Sequence, residues 1–107
     1  MKIYHGHRTG DGVLVTVDGR PLNPRHDLHG HSPNGFEWGF GGSGPAQLAL
    51  AILADHLADD EKALAIYQSF KVNVVADLSE KGWTLSSDEV QAALDGICRQ
   101  NPSGGAS

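Results

Sequence analysis

Basic side chains are scarce where an anion-binding enzyme would need them: no lysine or arginine occurs between Arg25 and Lys62. The chain holds one cysteine, Cys98, which excludes an internal disulfide and fits a reducing compartment. No apolar run approaches the ~20 residues that a membrane-spanning helix needs, and the opening Met1-Lys2-Ile3-Tyr4-His5 has no apolar signal-peptide core. A cytoplasmic protein is expected. At 107 residues the chain is too short for a doubly wound enzyme fold. Residues 1–100 are expected to form a single domain, and 101–107, rich in Pro, Gly and Ser, a disordered tail.

The net charge of −5 is unevenly placed. Acids and bases balance up to Gly44, and the excess acid lies in the second part, which argues against direct, non-specific duplex binding. Histidine is concentrated at the other end: five of the six lie in the first 31 residues, which therefore gain positive charge in mildly acid solution.

Glycine divides the chain the same way. Ten of the fourteen precede position 45, and none falls between Pro45 and Lys81. Turns and strands should therefore come first and helices second. Tyr4 to Thr9 and the β-branched Val13 to Val17 read as a hairpin around Gly10-Asp11-Gly12. Two prolines, Pro21 and Pro24, break any central strand, so residues 20–34 read as a loop crossing the sheet and ending in the turn Ser32-Pro33-Asn34-Gly35. Gly35 to Phe40 reads as a third strand, with Phe36, Trp38 and Phe40 on one face and Glu37 on the other.

From Pro45, placed at a first helical position, the period becomes helical, with Leu48, Ala49, Ile52, Leu53, His56 and Leu57 on one stripe ending near Ala58. Asp59 or Asp60 can cap a second helix whose stripe is Ala63, Leu64, Tyr67, Phe70, Val74 and Leu78, with a bend or fraying at the β-branched Val72-Asn73-Val74-Val75 and a stop at Gly82. Trp83-Thr84-Leu85 reads as a short strand or a packing loop. Ser86 and Glu89 form a capping box that opens a last helix reaching about Arg99. Tyr67, Phe70, Trp83 and Cys98 read as core. The expected architecture is α+β: a small antiparallel three-stranded sheet from the first 40 residues, packed on three helices.

Three constellations carry candidate chemistry. Gly39, Gly41, Gly42 and Gly44 precede a helix, so the turn with Ser43 and Gly44 offers backbone N–H groups to an anion. The phosphate-loop Lys is absent, and Ser43 lacks the second glycine of a nucleophile elbow, so the plainer reading is a tight joint with Ser43 as helix cap. His5-Gly6-His7 and His29-Gly30-His31 each set two imidazoles on one side of an extended segment, with His26, Asp27 and Glu37 as further donors, but without the helical spacing of a strict metal motif. If its face of the strand is covered, Glu37 needs a partner such as Arg8, Arg20 or Arg25, and the plainer reading is a structural ion pair that holds the crossing loop to the sheet. Asp55, Asp59, Asp60 and Glu61 cluster between the first two helices, where they either cap and complement a helix dipole or meet a basic partner.

Val17-Asp18-Gly19-Arg20-Pro21-Leu22, Gly35-Phe36-Glu37-Trp38-Gly39 and Gly42-Ser43-Gly44-Pro45-Ala46-Gln47-Leu48-Ala49, with Asp55-His56, Tyr67, Phe70-Lys71 and Trp83-Thr84-Leu85 further on, resemble a family of small uncharacterised prokaryotic and phage proteins. The resemblance implies no activity. It does imply a setting of accessory or mobile-element products, and with it a non-enzymatic protein that binds another protein in the host cytoplasm. The most concrete form is an inhibitor of a CRISPR-type defence complex, contacting a basic, nucleic-acid-binding surface through Asp55, Asp59, Asp60 and Glu61 and the surface of the 26–44 loop. That reading carries no cofactor and no metal. The alternative is a small-ligand, anion or metal-binding protein using His29, His31, Glu37, Ser43 and Gly44.

Overall fold

The computed structural model describes residues 2–30 and 35–100. His31 and the turn through Asn34, like the tail 101–107, lie outside the described residues. The fold is α+β, with an antiparallel sheet and three helices. Strands β1 (Ile3–Thr9) and β2 (Gly12–Val17) form the expected hairpin, pairing Tyr4 with Val17 and Thr9 with Gly12. Asp18 and Gly19, both at positive φ (51° and 84°), then turn the chain back into β3 (Arg20–Pro21). This Asp-Gly pair supplies the backbone that a tight hairpin turn needs. The nearby prolines hold β3 to two residues.

The sheet has four strands in the order β3-β2-β1-β4, not three. The expected strand at 35–40 does not form. Gly35 and Gly39 take positive φ (103° and 84°), which breaks the extended run, and the free side of β1 is filled by β4 (Gly82–Ser86) instead. Gly6 faces Trp83 in that pairing. A Cβ on Gly6 would lie 2.5 Å from the Trp83 indole, so the absence of a side chain makes the seat for the ring. At the outer edge of β4 the Gly82 N–H donates to the Ser79 carbonyl (3.2 Å) and the Ser86 N–H to Glu89 Oε1 (2.9 Å). Those bonds blunt an edge that would otherwise recruit another strand.

Alternation along the strands puts Tyr4, Gly6, Val15 and Trp83 inward and Ile3, His5, Leu14 and Thr84 outward, so the helices cover one face. Helix α1 (Ser43–Leu57) lies at the centre and is buried from Gly44 to Ala54, on every side rather than along one stripe. Residues 22–30 cross this helix, not the sheet as expected. The fully buried Gln47 donates from its amide nitrogen to the Pro24 carbonyl (2.6 Å) and the His29 carbonyl (3.0 Å), fastening the loop down. Pro45 is the third helical residue, and Gly42, not Ser43, occupies the cap position.

Helix α2 (Asp60–Asn73) opens on Asp59, whose carboxylate accepts from the Lys62 N–H (3.2 Å). It ends well before Gly82. Val74 leaves helical geometry (φ −125°, ψ −60°), and a single 3-10 turn (Val75–Asp77) follows, as crowding in the β-branched run favours. Leu64 is 39% exposed and so stands off the expected stripe. Helix α3 (Ser87–Gln100) begins at the reciprocal Ser86–Glu89 capping box. Cys98 is exposed rather than core: it sits at the rim of a groove between α2 and α3.

Candidate functional site

The joint between the crossing loop and α1 is built on one buried indole. Trp38 meets Trp83 edge-on, with ring centroids 5.7 Å apart at 87°, and its Nε1–H donates to the Glu80 carbonyl (3.3 Å). Arg8 lies over the Trp38 ring at 4.8 Å, donates to the same carbonyl (2.6 Å) and forms an ion pair with Glu37 (3.1 Å). Of Arg8, Arg20 and Arg25, it is Arg8 that pairs with Glu37, whose side chain stays partly exposed. Gly39 donates its N–H to the Val75 carbonyl (3.0 Å), tying the joint to the turn after α2.

The anion cradle fits this geometry poorly. A Cβ at Gly44 would stand 2.7 Å from Glu37 Cβ, so Glu37 packs directly against the first turn of α1. Pro45 removes one of the donors an anion would meet there. Ser43 is exposed and has no hydrogen-bond partner among the described residues. Glu37 and Gly44 are therefore brought together, but as packing. Phe40 parts from the other aromatics: it is 52% exposed and lies over Gly42, whose Cβ would be 2.9 Å from the ring.

His29 is exposed, and its carbonyl is held by Gln47. His5 and His7 share the outer face of β1 with rings 5.2 Å apart, and His5 Nδ1 lies 3.1 Å from Thr84 Oγ1. Among the described residues no group of three His, Cys, Asp or Glu side chains is placed to hold a metal ion.

The acidic group at the α1–α2 junction is largely taken up by internal bonds. Asp55 accepts from the Tyr4 hydroxyl (2.7 Å) and from Lys2 Nζ (3.1 Å). Asp59 caps α2, and Asp60 accepts from Arg25 (2.9 Å). Glu61 alone of the four is exposed without a partner among the described residues. Burial, followed by the bond to Asp55 and its charge, holds the Tyr4 hydroxyl protonated far above the ordinary tyrosine range. Hydrogen bonds from Arg25 hold the exposed Asp27 below the usual carboxylate range. The bonds to Asp27 and Asp60 raise Arg25 in turn.

Beside this junction is a cleft of about 750 Å³, between the β2–β3 turn and the carboxyl half of α1. Sequence reasoning missed it. A signal was present in Ala51, Ala54, Asp55 and Ala58, whose i, i+3, i+4, i+7 spacing gives one helix face small side chains and leaves room above it.

No curated protein and no solved structure matches the chain. A family model, described as a family of unknown function (DUF6166), matches residues 4–96, from the central strand of the sheet into the last helix. The buried tryptophan pair and the glycine joint lie within the matched span, as does the lining of the cleft apart from Lys2, and the chain therefore belongs to the DUF6166 family.

Proposed function

We propose that this protein is a non-enzymatic binding module of phage or mobile-element type that docks on a protein partner through the turn carrying Phe40. One observation carries the reading: a phenylalanine half exposed to solvent (52%) on a turn whose neighbouring Trp38 is fully buried. An aromatic ring presented on a braced backbone loses little freedom on docking, and such rings dominate interface energetics. Glu37 and Arg8, paired beside it, would form a polar rim. The acidity of the chain, −5 overall, suits a partner with a basic, nucleic-acid-binding surface, and a CRISPR-type defence complex is the concrete candidate. Of the acidic junction, Glu61 is the member left to contribute to such a contact.

The test is affinity capture from a defence-positive host with wild type and Phe40→Ala in parallel. A stoichiometric partner that Phe40→Ala retains about tenfold more weakly or not at all, with an unchanged melting temperature, is the expected result. Equal retention by the two proteins, or no stoichiometric partner for either, would sink the proposal.

A further inference from the structure

We propose that the cleft beside the α1–α2 junction binds a small organic anion, a carboxylate or phosphate ester with an apolar body, whose charged end is held by Arg20. At about 750 Å³ the cleft lies within the size range of small-molecule sites. Its floor is Ala51 and Ala54, and Val17, Pro21 and Leu22 make apolar walls.

The sign of the ligand follows from which rim groups already have partners. Asp55 accepts from Tyr4 and pairs with Lys2 through one oxygen, and one oxygen of Asp18 accepts from the Ile3 N–H (2.8 Å). Of the cations, Lys2 is held by Asp55, and Arg25 by Asp27 and Asp60. Arg20 is exposed and has no partner among the described residues. Asn23 spends its amide oxygen on the Arg25 N–H (2.9 Å), and this exposed residue also lines the cleft, its amide nitrogen without an acceptor among the described residues.

Each rim carboxylate thus already accepts from a donor of the protein, while the Arg20 guanidinium has no acceptor among the described residues, so the complementary ligand is a hydrogen-bond acceptor that carries negative charge. A guanidinium fork suits the planar or tetrahedral oxygens of a carboxylate or phosphate. The backbone under Arg20 is fixed by its pairing with Val17 and by the Asp18-Gly19 turn, so the donor starts from a defined position.

Titration of the full chain with phenyl phosphate, benzoate and inorganic phosphate, followed by proton–nitrogen NMR, tests the site. Saturable shifts at the Arg20 side chain and the amides of Asn23 and Ala54 are expected with at least one organic anion, and the tighter of the two identifies the head group. Arg20→Gln should weaken that binding by about tenfold or more. Asn23→Asp, which keeps the acceptor for Arg25 but replaces a donor with a negative charge, should weaken it as well. The absence of saturable shifts, or affinities unchanged in both variants, would overturn the proposal. Inorganic phosphate binding as tightly as phenyl phosphate would reduce the site to an adventitious ion only, which overturns it too.

Discussion

Gly6 shows how one hydrogen in place of a methyl shapes a core. Between two histidines it reads from sequence as the spacer of a possible ligand pair, yet its importance lies on the opposite face of β1, where the Trp83 indole rests on its backbone. Nothing local discloses this, because Trp83 is far along the chain. Gly6→Ala would put Cβ 2.5 Å from the ring and force the strand or the indole to move. Overpacking of this kind costs about 1–3 kcal/mol. Urea unfolding followed by circular dichroism should show the loss. Trp83→Phe in the Gly6→Ala background should recover part of it, and two strictly additive losses would mean that the ring does not sense the glycine. Glu37, by contrast, is legible in its partner: Arg8, one of three arginines the sequence offers, pairs with it, although the side chain stays partly exposed and burial does not demand the pair.

Among the elements, the starts of α2 and α3 are the most readable, because a side-chain cap is a local bargain with the backbone; the start of α1, capped by Gly42 without a side chain, is not. Asp59, Ser86 and Glu89 all stand where their spacing puts them. The aromatic alternation at 35–40 mimics a strand, but Gly35 and Gly39 adopt positive φ and no strand forms there. Its place went to Trp83-Thr84-Leu85, a segment too short for periodicity to classify. The full burial of α1 was illegible for a different reason: it depends on a loop that crosses the helix, held by Gln47. Gln47→Leu should leave the Pro24 and His29 carbonyls without their donor, at a cost of about 1–3 kcal/mol. Because Arg25 sits in that loop, trypsin should cut after it faster in the variant. An unchanged cleavage rate would mean that the loop is fastened elsewhere.

On the scale of the whole molecule, the contact between sheet and helices has a pH signature. Tyr4, buried on the inner face, donates to Asp55 on α1, and folding raises its pKa. Below about 10 the tyrosine is protonated in both states, so the bond contributes fully; above it the unfolded chain ionises while the folded chain keeps its proton, and stability falls as pH rises. Unfolding midpoints across alkaline pH should drop more steeply for wild type than for Tyr4→Phe, and parallel curves would refute the assignment. Asp27 acts in the opposite sense: its lowered pKa favours the fold above the carboxylate range, and the contribution fades as pH falls, weakly because the pair is solvent-screened.

The position of β1, between β2 and β4, has a consequence for biosynthesis. The hairpin leaves the ribosome early, at roughly 5–20 residues per second, but one side of β1 has no neighbour until Ser86 has been made. A growing chain must therefore carry β1 with one edge open until β4 has been made, and only then does the sheet close. Products cut short before Gly82 would leave that edge of β1 unpaired and open to pairing with another chain.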